Sequence, residues 1–234
     1  MSSRGVFALA MLTATAIGAG ATLGGCAAEE QPRIPLGEAG SATPIRLAAK
    51  PDRTGLLPMS KWPAACDLLP EPAVREILPA ATVVEMKRVT PTFETGDLGS
   101  RDRVFPGDAS CHIGIDFAGA ERRESRDYPA YIYVTVRAAG TPELARKNYD
   151  EKVVLAGKEC PADLVAATGL DGCAEDIGKW AFLKNGITGE LSGLAPLLND
   201  GVYFEGQKEN TYADQIWRGT VETEMLKAVA ARLP

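Results

Sequence analysis

The chain of 234 residues reads as a single α+β domain, a mainly antiparallel sheet with flanking helices, and three patterns carry that reading. "CHIGIDF" (111–117) and "AYIYVTVRA" (130–138) alternate apolar and polar residues with the period of two that a half-buried strand requires. Asn185-Gly186, set between two apolar stretches, is a strong signal for a two-residue hairpin turn. Helical stretches stand between groups of strands, so hairpins rather than β-α-β crossovers dominate.

Each element follows in order. "CDLLPEPAVREILP" (66–79) predicts a short helix with Pro72 near its first turn and Pro79 past its end. "TVVEMKRVT" (82–90) is rich in β-branched residues and predicts a strand. On the strand 111–117, Cys111, Ile113, Ile115 and Phe117 share the apolar face, and His112, Gly114 and Asp116 share the other. On the next strand Ile132, Val134 and Val136 alternate with Tyr131, Tyr133, Thr135 and Arg137. The charged stretch "AGAERRESRDYP" (118–129) between them is expected to be a solvated hairpin loop. Thr141-Pro142-Glu143 opens a helix: a cap, a residue suited to the first helical position, and a carboxylate at the positive end of the dipole. Gly157 ends it. "KWAFLKNGITGEL" (179–191) predicts a hairpin, "NDGVYFEGQ" (199–207) a turn and a strand, and 212–233 a closing helix weakened at Gly219.

The first 26 residues are of another kind. Arg4 is the only charge before Cys26, and Val6 to Leu23 carries none. One early positive charge, an apolar run and small residues before a cleavage point describe a secretory signal peptide, residues 1–25. Leu23-Gly24-Gly25-Cys26 resembles the lipobox of bacterial lipoproteins. That resemblance implies a diacylglycerol on the Cys26 sulfur and cleavage before Cys26. Two or more acyl chains anchor stably where one does not. An ordinary signal peptide or an uncleaved anchor are the alternatives. Residues 26–55, mixing Pro, Gly, Ala and scattered charge, are expected to form the anchor and a flexible tether, with the domain at 56–234. "IRLAA" (45–49) has some apolar character, but the expectation is that it belongs to the free tether.

Five cysteines are an odd number for an exported chain, and Cys26 accounts for the odd one. Cys66, Cys111, Cys160 and Cys173 allow three disulfide connectivities, of which the sequential one, Cys66–Cys111 with Cys160–Cys173, is favoured. Cys111 lies on the inward face of its strand, and 161–172 bears Pro161, Gly169 and Gly172, which let it curl back. The spacings do not suit zinc, so no metal is expected.

"WPAACDLLPEPAVREIL", "ASCHIGIDF" and "GLDGCAEDIGKWAFLKNGITGEL" together resemble exported actinobacterial lipoproteins grouped as a domain of unknown function. Cys66-Asp67-Leu68-Leu69 and Cys111 match the positions of a helix-start Cys and a second Cys on a strand; His112 departs from the usual aromatic there. The resemblance implies a disulfide and an envelope location, and no activity.

The formal net charge of −6, one unit more negative without Arg4, argues against nucleic acid as a partner and against binding anionic lipid by charge. With one histidine, a Ser-His-Asp or Cys-His mechanism would need His112, whose neighbour Cys111 points to the opposite face and is expected to be oxidised. "GCAEDIGKW" from Gly172 fails as a phosphate loop, because five residues separate its glycines and Trp180 replaces the magnesium-binding hydroxyl. No cofactor and no catalytic residue is expected. Trp180, Phe182, Tyr203, Phe204 and Trp217 are expected to fill the core of the second half, while Tyr131 and Tyr133 face away from Ile132 and Val134 as a candidate contact face. The expectation is a binding or interaction module, tethered to the extracytoplasmic side of the cell membrane through the Cys26 lipid. Its ligand would be an envelope protein, a glycan or a small apolar molecule. The alternative is a carboxylate-dependent hydrolase or an inhibitor of an envelope enzyme.

Overall fold

A computed structural model describes residues 32–92, 105–122, 126–156, 158–176, 178–199, 201–208 and 211–234. Cys26 and the expected signal peptide lie outside the described residues. Seven antiparallel strands make the main sheet: β2 (Ala81–Val89), β3 (Ser110–Phe117), β4 (Ala130–Ala139), β5 (Lys158–Glu159), β6 (Gly172–Asp176), β7 (Lys179–Lys184) and β8 (Ile187–Leu194), in the spatial order β2-β3-β4-β8-β7-β6-β5. The chain is thus α+β with a mainly antiparallel sheet, as its pattern predicts. The β7–β8 hairpin turns at Asn185 (φ 45°) and Gly186 (φ 82°), the left-handed pair that such a turn requires. A minor two-stranded parallel sheet joins β1 (Arg33–Ile34) to β9 (Tyr203–Phe204).

The alternation read on β3 and β4 holds. Cys111, Ile113, Ile115, Ile132 and Val134 are fully buried on one face. Against that face pack α1 (Ala65–Leu68), α2 (Glu71–Ile77), α4 (Ala162–Thr168) and α6 (Thr223–Arg232). The opposite face is covered over β6–β8 by α3 (Pro142–Ala156), through Ala145 and Tyr149 on Ala174 and Leu183. Thr141 Oγ1 accepts from the Leu144 amide at the start of α3, the cap that the sequence predicts. Each half of the chain runs strands and then a helix, yet α3 and α6 lie on opposite faces of the sheet.

Both disulfides pair sequentially, Cys66 with Cys111 and Cys160 with Cys173. The first ties α1 to β3; the second closes α4 against β6.

Local corrections have local causes. The single helix expected over 66–79 is two, because Pro70 pushes Leu69 out of the helical region (φ −136°, ψ 74°) and starts α2 as its N-cap. The interval 161–172, expected as a loop, holds α4: Pro161 precedes its first turn and Gly169 (φ 61°) is its left-handed C-cap. The closing helix is interrupted by a π-helical turn at Trp217–Glu222.

The largest correction concerns the segment expected as a free tether, 26–55. Its described part, 32–55, lies along the domain, and the compact unit starts at Gln31. Ile34 is buried in the core, and Leu36, Ala39, Ile45, Leu47 and Ala49 pack against it. The amides of Gly37, Ile45 and Leu57 donate to the carbonyls of Ile77, Arg232 and Ala139. Ile34 sits beside β9 at one end of the sheet, and Leu57 meets the end of β4 at the other, so the strap runs the sheet's length over the helical face. Pro and Gly keep it from regular structure, but apolar residues every second position still bury one side.

Candidate functional site

On the sheet face opposite Ile132 and Val134, β2 and β3 carry no helix among the described elements, and α3 makes only a minor contact with β4. One end of that face is closed by Arg137, whose guanidinium pairs with Glu190 at 3.0 Å, donates to the Thr92 carbonyl at 2.9 Å and lies over the Phe105 ring. The rest is an aromatic strip. The rings of Tyr131 and Tyr133 stack with centroids 5.9 Å apart, His112 meets Tyr133 edge-on at 4.5 Å, and Tyr128 meets Tyr131 edge-on at 6.1 Å. All four side chains are half-buried. The register explains the row: Tyr133 pairs with His112 and Tyr131 with Gly114, so their side chains share one face.

Gly114 makes room for Tyr128. A Cβ there would stand 2.2 Å from the Tyr128 ring. The Tyr128 amide donates to the Tyr131 hydroxyl at 2.9 Å, and the Tyr128 hydroxyl bonds the Glu85 carboxylate. Burial and then Lys87 hold the His112 imidazole below its ordinary pKa. Burial raises Tyr133, and the hydrogen bond to Glu85 raises Tyr128.

Leu194, the cross-strand partner of Tyr131, leads from this strip to a cleft of about 300 Å³ where β8 ends. Leu197 and Tyr212, the two exposed large apolar side chains among the described residues, form its rim with Arg126 and Arg218. Trp217 and Glu222, both from the π-helical turn and each 1% exposed, form its floor. Irregular turns of this type gather at functional sites. Glu222 Oε2 accepts from Trp180 Nε1 at 3.0 Å. Its Oε1 and the Trp217 Nε1 are buried without a hydrogen-bond partner, and both lie within 2.6 Å of where a Cβ on Gly193 would stand. Burial drives the Glu222 carboxyl up to about 7, opposed by the Trp180 bond and the Arg218 charge. It therefore holds a proton below about pH 7 and gives it up above that.

The sequence-predicted residues divide clearly. Tyr131 and Tyr133 stand where the alternation places them, joined by His112 and Tyr128. Trp180, Phe182, Phe204 and Trp217 are buried in the core, and Tyr203 is half-buried. Tyr128 and Glu222 escape sequence reading. A glycine amid the apolar alternation of β3 is the only signal for the first, since an interior strand glycine marks a close approach. Nothing in the sequence singles out the second. Among the described residues no group of three or more His, Cys, Asp or Glu could hold a metal, and no helix is long and apolar enough to cross a membrane.

No family model matches the chain, and no match is found among curated proteins or solved structures. The resemblance to exported actinobacterial lipoproteins therefore rests on the quoted motifs alone.

Proposed function

We propose that the chain is a lipid-anchored binding module on the extracytoplasmic side of the cell membrane, contacting another envelope component through the Tyr128–Tyr131–Tyr133–His112 strip. The carrying observation is that strip: four aromatic rings in a continuous row of one stacked and two edge-on contacts, on a sheet face over whose β2 and β3 strands no described helix packs. Half-buried tyrosines offer large amphipathic area at low entropic cost, the composition that recurs in recognition surfaces. The two disulfides support an oxidising compartment, and Leu23-Gly24-Gly25-Cys26 supports the anchor. The test is site-specific photo-crosslinking in intact cells. A benzophenone side chain at position 131 should give a discrete adduct, and one at exposed Glu143, at the start of α3, should not. Equal adducts from both positions, or none from 131, contradict the assignment.

The hydrolase reading has one observation in its favour, the proton-carrying Glu222 at the floor of a cleft that Asp214 also lines. It requires hydrolysis of an ester or glycoside probe by the mature protein that Glu222→Gln abolishes.

A further inference from the structure

The strap fixes where the chain enters the domain. Pro32 to Ile34 lie against Ala80, Phe117, Ala118, Gly119 and Val202, so entry is at the sheet end where β3 and β8 finish and β2 and β4 begin. The segment after β8 closes over this same end. Its Leu197 carbonyl accepts from the Glu121 amide at 2.8 Å, and its Asn199 amide donates to the Gly119 carbonyl at 2.9 Å. Leu197 (41% exposed) and Tyr212 (75%) therefore stand at the end where the chain enters. The far end, with Glu143, Asn185 and Gly186, exposes no large apolar side chain among the described residues.

Only five residues separate Cys26 from Pro32, a span of roughly 20 Å at full extension. A lipid on Cys26 therefore holds this end, and not the far one, against the bilayer. We propose that the sheet end bearing Leu197 and Tyr212 docks on the phospholipid surface, with Tyr212 at headgroup level and Leu197 beneath it. A tyrosine suits that depth, its ring apolar and its hydroxyl wet. The inference rests on the reading of Cys26 as lipidated. Arg126 and Arg218 flank the two residues and suit phosphate oxygens, while Asp214 lies beside them. The apolar pair and the attachment point carry the orientation.

The experiment uses the full lipidated protein in phosphatidylglycerol–phosphatidylethanolamine vesicles containing a phospholipid with a nitroxide near its headgroup. Tyr212→Trp and Glu143→Trp place one added indole at each end of the sheet, both at exposed positions, over the same background of Trp62, Trp180 and Trp217. The emission added at 212 should be quenched at least twofold more than that added at 143. Equal quenching, or stronger quenching at 143, on vesicles that float with their protein overturns the orientation and leaves the anchor intact. Protein that does not float with the vesicles overturns both.

Discussion

Glu222 keeps a carboxyl group where water does not reach, held by one indole donor and covered at its other oxygen by Gly193. A carboxylic acid whose folded-state pKa lies above its ordinary value binds more protons folded than unfolded between the two values. Stability therefore falls as pH rises from 4.5 to about 7 and is level above that window. The loss is on the order of 3 kcal/mol. Glu222→Gln keeps an oxygen for the Trp180 donor and cannot ionise, so the fall in urea-unfolding free energy that the parent protein shows between about pH 5 and about pH 7 should be absent from the variant, leaving the rise toward pH 6.5 that His112, held below its ordinary value, contributes. A parent protein with no such fall would show that Glu222 is charged when folded. The other telling residue is Gly114, whose missing side chain seats Tyr128 over the sheet. Alternation along β3 and β4 makes the Tyr131–Tyr133 face legible from the sequence. Tyr128 is not legible, because it arrives from a charged connection whose course over the sheet no local pattern encodes.

At the scale of elements, the strands and the two long helices follow from periodicity and caps, and the disulfides from the inward face of Cys111 and the Pro–Gly content of 161–172. Two kinds of element escape. Helix α4 is hidden because Pro161 and Gly169, which read as loop formers, are its two ends. The strap 32–57 is hidden because its stability is wholly tertiary: extended chain with Ile45, Leu47 and Ala49 inward shows no propensity strong enough to see. Its packing has a direct consequence for proteolysis. Brief trypsin treatment of the folded protein should spare Arg46 and Arg53, although both side chains are exposed, because the strap is hydrogen-bonded to the domain at Ile45, Gly55 and Leu57. Early cleavage after Arg46 or Arg53 would return the segment to the status of a tether. The π-helical turn is hidden for the same reason as the strap: Trp217, Val221 and Met225 look like an ordinary helical stripe, and only packing against β8 shifts the register.

At the scale of the molecule, the sheet end that receives the chain from Cys26 also bears the cleft and the two exposed apolar side chains, and the aromatic strip begins beside it. Because the strap is packed rather than free, the proposed lipid on Cys26 would hold the domain close to its point of attachment instead of letting it range over a long linker. Under that proposal, a partner meeting the strip would be another envelope component near the same membrane. All of this depends on the chemistry of one residue outside the described structure. The most direct test is mass spectrometry of the mature protein's first tryptic peptide, purified from a host with a lipoprotein-processing pathway. The account predicts that it spans Cys26–Arg33 and carries a diacylglycerol, with or without a further acyl chain on its amino group. A peptide beginning at any other residue, or an unmodified Cys26, would contradict it.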